Sequence, residues 1–338
     1  MKLEVEILQI RDSSYQIGYQ TGESIRNKAI VNTFGLITKS KIDINNMKNI
    51  YNTFAPYLIE ELEGIAASLH IPFSKAACLF SGYDVPKTEA MGCSAVMTKD
   101  YYVRNYDFGP ELYDGIFSMV QPENTFASAG YNLQAIGRHD GVNEYGLTIG
   151  LHFVSNIDYS VGLSPWISIR MILDTCKTTD DAIQLLKEIP HSACYNFSIG
   201  DNHGNIAVVE ATPSNVFVRQ DDELLSCVNH FQIDELKRKN RQFSEESSLK
   251  RNKYLQKFKD NKPSYHEMFN HFSDEQSPLF FNHYKELFGT LHTFAYSYEE
   301  QTILTSVARS NKAMEINFKK WLNGKNIKDK ILYGIIEY

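Results

Sequence analysis

Gly92 precedes a cysteine, Cys93, which opens the run Cys93-Ser94-Ala95-Val96-Met97 and leads through Lys99-Asp100 into Tyr101-Tyr102-Val103-Arg104-Asn105-Tyr106-Asp107. A thiolate is a strong nucleophile, and its reactivity is set by the charges around it. An arginine and an aspartate within one strand of the cysteine are the groups that would set it. If Lys99-Asp100 is a two-residue hairpin turn, Cys93 faces Tyr106, Ala95 faces Arg104 and Gly92 faces Asp107. Diagonal neighbours on one face of a sheet lie ~7–8 Å apart, within reach of an arginine side chain. Arg104 is therefore expected near the sulfur, where its charge favours the thiolate. Asp107 is expected level with the backbone nitrogen of Cys93. A three-residue turn would move every partner to the other face.

A carboxylate beside a backbone amide has little to do, because an amide cannot accept a proton. Cutting the Gly92-Cys93 bond converts that nitrogen into an α-amine with a pKa of about 7.7–8.0, against about 8.5 for a thiol. Such an amine can act as the general base for its own side chain at neutral pH without a histidine. Gly92 suits the cut, since it can adopt backbone conformations closed to other residues. Asp107 would then orient the amine.

The elements that hold this hairpin read as follows. Residues 1–92 give an opening strand and then helices, over Ser14 to Lys28 and Tyr51 to Leu69, with Pro56 and Pro72 as punctuation. From Cys93 the pattern changes to strands. Gly146 to Phe153 reads as a buried strand. Pro165 to Cys176 and Thr179 to Ile189 read as helices, the second with a capping region at Thr178 to Asp180. Cys194–Gly200, Ile206–Ala211, Asn215–Gln220 and Leu224–Asn229 form a strand meander with turn residues between them. Residues 233–276 are charged and helical, and Tyr296 to Ile335 gives two or three strands and a short helix. Helices flanking antiparallel strands imply an α+β class. Residues 1–92 are expected to be a mostly helical segment and 93–338 a strand-rich core, folded as one unit.

A cysteine opening a strand and followed by Arg104-Asn105-Tyr106-Asp107 resembles the N-terminal-nucleophile cysteine hydrolases. This superfamily includes choloylglycine hydrolase, penicillin V acylase and the isopenicillin-N acyltransferase family. Further motifs are similar and in the same order. Gly141-Val142-Asn143-Glu144-Tyr145-Gly146-Leu147 resembles the Asn-Glu-x-Gly-Leu turn. Phe197-Ser198-Ile199-Gly200-Asp201-Asn202-His203-Gly204-Asn205, with Glu210, resembles a hairpin of the acyltransferase branch. Val228-Asn229-His230 resembles a Thr-Asn-His segment, and Gln16-Ile17-Gly18-Tyr19-Gln20-Thr21-Gly22-Glu23 resembles that branch's N-terminal segment. The resemblance implies a four-layer αββα sandwich of two antiparallel sheets, cleavage between Gly92 and Cys93, and Asn229 as a donor to the oxyanion beside the catalytic Cys93, Arg104 and Asp107. Asn105, Tyr106, His152 and His230 would line the site. His152 stands where the bile-acid enzymes carry an asparagine.

The activity implied is hydrolysis of a linear amide of an acyl substrate, with an apolar acyl side, through a Cys93 thioester. The alternative is transfer of the acyl group to an amine, with acyl-coenzyme A as a donor. Two other readings stay open: an uncleaved hydrolase pairing Cys93 with His152 or His230, and a binding protein without turnover. Lys237, Arg238, Lys239 and Arg241 could meet coenzyme A phosphates, but Glu235, Glu245 and Glu246 around them favour a solvated face. No cofactor is called for. The irregularly spaced Cys78, Cys93, Cys176, Cys194 and Cys227 suggest neither a disulfide framework nor a zinc site, and His266, His271, His283 and His292 lack metal-ligand spacing.

The remaining expectations come from bulk properties. A net charge of −7, a pI near 5.8 and the absence of a dominant basic block argue against nucleic acid as a partner. At 338 residues and 43% hydrophobic, the chain can bury a large core. No apolar run suggests a membrane span, and Met1-Lys2-Leu3-Glu4-Val5-Glu6 is unlike a signal peptide, so the expectation is a cytoplasmic protein and a candidate homo-oligomer.

Overall fold

The first strand, β1 (Lys2–Asp12), and the five helices that follow pack against the rest of the chain. The computed structural model describes residues 2–86, 92–241, 245–310 and 312–337. The helices are α1 (Ser14–Ile25), α2 (Ile30–Ile37), α3 (Ile44–Phe54), α4 (Tyr57–Leu69) and α5 (Phe73–Phe80). Ser13 caps α1 by accepting from the Gln16 N–H, and Pro56 separates α3 from α4. Gly18, Gly22 and Gly64 let α1 and α4 touch along their backbones. A Cβ on Gly18 would stand 2.0 Å from the Glu61 carbonyl oxygen, and one on Gly64 2.1 Å from that of Tyr15.

The hairpin β2 (Gly92–Thr98) and β3 (Tyr101–Phe108) follows, then β4 (Ile116–Pro122), β5 (Ser128–Leu133), β6 (Gly137–Arg138), β7 (Asp140–Asn143) and β8 (Thr148–Ser155). Two helices, α6 (Pro165–Thr175) and α7 (Thr179–Glu188), precede the meander β9 (Cys194–Gly200), β10 (Ile206–Ala211), β11 (Val216–Asp221) and β12 (Leu224–Cys227). Thr178 and Asp181 form a reciprocal capping box at the start of α7. The chain ends with α8 (Glu245–Gln256), α9 (Tyr265–Ser273), β13 (Asn282–His283), β14 (Phe288–Ser297), β15 (Thr302–Val307), β16 (Met314–Asn317), α10 (Phe318–Leu322) and β17 (Ile331–Ile335).

Two sheets result. The ten-stranded sheet runs β11-β10-β9-β8-β7-β5-β4-β1-β17, with β6 on β5, and the seven-stranded sheet runs β12-β2-β3-β14-β15-β16, with β13 on β14. All pairings among the described strands are antiparallel except β1 with β4. Strand β2 packs on β8 and β9, so the sheets lie face to face. Helices α6 and α7 cover the outer side of the larger sheet, and α8 and α9 that of the smaller. The architecture is the α+β, four-layer αββα sandwich.

Side-chain parity follows from these layers. Cys93, Ala95, Met97, Tyr102 and Tyr106 join the main core with Ile149, Leu151, Phe197 and Ile199 from the opposite sheet. Val96, Tyr101 and Val103 join Leu255, Met268, Phe269 and Phe272 under α8 and α9. Among the described residues no helix is long and apolar enough to cross a membrane.

Candidate active site

Lys99-Asp100 is a two-residue turn, and the register pairs Gly92 with Asp107, Cys93 with Tyr106 and Ala95 with Arg104, as the parity argument expects. The thiol therefore points between the sheets on the Arg104 side, while Asp107 lies on the helix-covered side beside Gly92. A Cβ on Gly92 would meet the Phe288 ring at 2.7 Å and an Asp107 oxygen, Oδ2, at 3.1 Å. Close approach, and not an unusual backbone angle, is what requires glycine there.

The peptide units around Cys93 are held from both ends. The Cys93 N–H donates to Asn229 Oδ1 at 2.8 Å, and the Cys93 carbonyl accepts from Arg251 Nη1 at 2.5 Å. Arg251 also donates to Ser94 Oγ at 2.8 Å and to Asn229 Oδ1 at 3.0 Å. Two donors thus converge on the Asn229 oxygen, and its Nδ2 donates to the Phe153 carbonyl at 2.8 Å. Asn229 thus acts on the Cys93 nitrogen as an acceptor, and of the two N–H groups on its Nδ2 one is engaged by Phe153. Asp107 lies level with that nitrogen through the pairing with Gly92, while the hydrogen-bond partner of the intact amide is Asn229.

Asp107 is buried; Oδ1 accepts from Thr290 Oγ1 at 2.7 Å and, among the described residues, Oδ2 has no partner. Burial pushes its pKa up to about 6, against the opposing pull of Arg251, the Thr290 hydrogen bond and Arg104. The Cys93 thiol is also pushed up by burial, to about 11, with Arg104 pulling it down and Asp107 adding to the rise. The expectation that Arg104 favours the thiolate is met in direction but is outweighed while the chain is whole. Its guanidinium is already engaged, in a buried ion pair with Asp140 and in bonds to the carbonyls of His139 (3.0 Å) and Leu151 (2.8 Å).

The other expected lining residues divide. Tyr106 sits opposite Cys93, fully buried. Asn105 faces the other way; it donates to the Phe272 and Leu279 carbonyls at 2.8 and 2.9 Å and accepts from Thr293, so it pins the sheet to the α9 region and does not line the site. His152 stands on β8 beside the Cys93 carbonyl, with Nε2 bonded to Ser198 Oγ at 2.9 Å. Burial holds its pKa well below the usual histidine range. His230 bonds Ser248 Oγ at 2.8 Å, and the same oxygen accepts from the Asn229 N–H at 2.9 Å. Burial and Arg251 push His230 down to about 4. Among the described residues no hydrogen bond joins the Cys93 thiol to either histidine.

Motifs further along serve as scaffolding. Asn143 donates to the Leu173 and Cys176 carbonyls at the end of α6, and Gly146 takes a positive φ of 78° in that turn. Buried Glu210 accepts from the Gln232 and Ile233 N–H groups, fixing the chain just past Asn229 and His230. Lys237 and Lys239 are engaged with Asp234 and Asp158. Sequence reasoning missed Arg251 and Asp140. Arg251 lies in a charged helix with nothing to separate it from solvated neighbours. Asp140 was visible only as part of the polar run Gly137-Arg138-His139-Asp140 ahead of the Asn143 turn.

Three solved structures are similar to this chain at low identity. Penicillin V acylase from Agrobacterium tumefaciens gives a TM-score of 0.45 at 14% identity, over 68% of this chain and 86% of its own. Conjugated bile acid hydrolase from Clostridium perfringens, solved as a variant, gives 0.42 at 13%, over 73% and 97%. The Caenorhabditis elegans N-acylethanolamine-hydrolyzing acid amidase ortholog gives 0.41 at 12%, over 61% and 93%. No curated protein matches the sequence. The family model for acyl-coenzyme A:6-aminopenicillanic acid acyl-transferase matches residues 96–312, a stretch that begins three residues after Cys93 and takes in Arg104, Asp107, Asn229 and Arg251. That match covers well over half of the chain, and the protein belongs to this family.

Proposed function

We propose that the protein is a self-activating thiol amidase that cuts its own chain before Cys93 and then hydrolyses an acyl amide. The observation that carries this is the Gly92-Cys93 junction. The Cys93 N–H of that junction is held by Asn229 and the Cys93 carbonyl beyond it by Arg251, with an Asp107 oxygen that has no partner among the described residues against Gly92. In the first step the Cys93 thiol loses its proton as the sulfur attacks the Gly92 carbonyl carbon, the C–N bond breaks, and Asp107, with its pKa lifted to about 6, gives a proton to the departing nitrogen and is reprotonated by the one the thiol released. Water then hydrolyses the Gly92 thioester and leaves Cys93 with a free amine.

In the second cycle that amine takes the thiol proton, Asn229 Oδ1 holds the amine in place, and the thiolate attacks the substrate carbonyl. The amide nitrogen leaves with the proton, and water resolves the acyl thioester. Asn229 would donate to the oxyanion through the Nδ2 N–H that the Phe153 carbonyl does not take. Acyl transfer is the second reading, favoured by the description of the matched family: the same thioester, formed from an acyl amide or acyl-coenzyme A, would pass to an amine instead of water.

The test is to quench a reaction with an acyl amide in acid and weigh the fragment that begins at Cys93. A hydroxylamine-sensitive gain of one acyl group, absent in Cys93→Ala, is the expected result. Added amines separate the two readings by diverting the acyl group from free acid to new amide. A fragment never acylated by amides or thioesters would overturn both.

A further inference from the structure

The thiol side of Cys93 holds a set of buried polar groups that the chemistry above leaves unused. Arg104 and Tyr106 come from β3, His292 from the position paired with Tyr106 on β14, His139 and Asp140 from the start of β7, and His152 from β8 of the opposite sheet. They are contiguous. The Tyr106 ring centroid lies 3.8 Å from that of His139 and 5.5 Å from that of His292, and the Arg104 guanidinium lies 5.8 Å from the Tyr106 ring. His292 is fully engaged, with Nε2 on Asp140 at 2.8 Å and Nδ1 on the Tyr113 hydroxyl at 2.8 Å.

Its neighbours are not. Among the described residues, Arg104 Nε, the Tyr106 hydroxyl, both ring nitrogens of His139 and Asp140 Oδ1 have no hydrogen-bond partner, and all four residues are 0% exposed. An unsatisfied buried polar atom is costly, so folded interiors keep few of them. Five in one place beside a nucleophile form a polar lining that a bound molecule would satisfy.

Its chemistry narrows the class. The Arg104 charge is met by Asp140, and burial keeps the His139 imidazole in its neutral form, so no unmatched charge awaits an ion. Donors and acceptors are both present. The walls are flat: Tyr131 stacks on His292 at 3.7 Å and Tyr113 on Tyr106 at 6.4 Å.

Resting on the thioester reading above, we propose that this chamber binds the acyl part of the substrate and selects acyl groups bearing a neutral hydrogen-bonding group, such as a hydroxyl or carboxamide on a ring or short chain. This departs from the apolar acyl side that the family resemblance implies. A site that hydrogen-bonds a substrate hydroxyl penalises the analogue lacking it, because its own polar atoms are left bare.

The experiment compares kcat/KM of the processed protein for amides of 4-hydroxyphenylacetic, phenylacetic and 4-carboxyphenylacetic acids with a common amine. The hydroxylated substrate is expected to exceed each of the others at least tenfold, and Tyr106→Phe and His139→Phe are expected to shrink that ratio at least fivefold. The comparison in the unmodified protein stands even if a variant folds poorly. Equal turnover of hydroxylated and plain substrates, or preference for the carboxylate, overturns the chamber while leaving the Cys93 chemistry intact. Failure of every acyl amide and thioester to acylate Cys93 overturns the thioester reading and the chamber with it.

Discussion

Asp107 is held at a cost. A buried carboxylate whose pKa rises to about 6 binds its proton more tightly folded than unfolded, so the penalty is absent below about pH 4 and complete above about pH 6. Its size at pH 7 is on the order of 2–3 kcal/mol. Asp107→Asn, placed in a Cys93→Ala background so that both chains stay whole, should raise the melting temperature by a few degrees at pH 7–8, and the gain should vanish near pH 4. In the parent background the same change should stall self-cleavage, as a time course of denaturing gels would show. Arg251 fixes the Cys93 carbonyl, Ser94 and Asn229 at once. Arg251→Gln should slow cleavage on the order of a hundredfold, comparable to losing one preorganised electrostatic donor. The thiol, Arg104 and Asp107 are legible in the sequence because a hairpin turns spacing into facing. Arg251 and Asp140 are not, because their contacts close across more than a hundred residues or between separate layers.

The β2–β3 hairpin carries the site because a two-residue turn leaves only one parity, and that parity was readable. So were β9 and β10, whose ends the turn residues mark. The strands β4 to β7 escaped notice: their residues are buried on both faces and show no alternation. The long charged stretch resolves into a 3-10 turn, α8 and α9, and only the fold turns Arg251 inward. Helix α4 meets α6 through an ion pair equally hidden in the sequence. Glu61 binds Arg170 at 2.8 Å, and Arg170 binds Asp174 at 2.7 Å, all three buried. Removing one partner of a buried pair typically costs about 3–5 kcal/mol. Thermal melts should therefore show Glu61→Ala destabilised by that order, with Glu61→Gln losing less because it can still accept from Arg170.

Strand β1 and helix α4 are woven into the molecule that they would be cut from. Strand β1 lies inside the larger sheet, between β4 and β17, and α4 is joined to α6 by the Glu61 ion pair. Cleavage before Cys93 should thus leave the two pieces together, eluting as one species in native size exclusion and parting only in denaturant. The site itself is sealed while the chain is whole, with Cys93 fully buried and its thiol pushed up to about 11. An uncleaved chain such as Asp107→Asn should therefore alkylate at Cys93 far more slowly at pH 7 than the processed protein. Everything in the account turns on whether the bond breaks, and the most direct measurement is the intact mass of the purified protein beside Cys93→Ala under denaturing conditions. The parent is expected to split into pieces of about 10 and about 28 kDa, the 38.7 kDa total shared by length, with Cys93 at the new N-terminus, while the variant stays whole. A parent that remains a single 38.7 kDa chain and still turns over acyl amides would contradict it, because no free amine would then exist to activate the thiol.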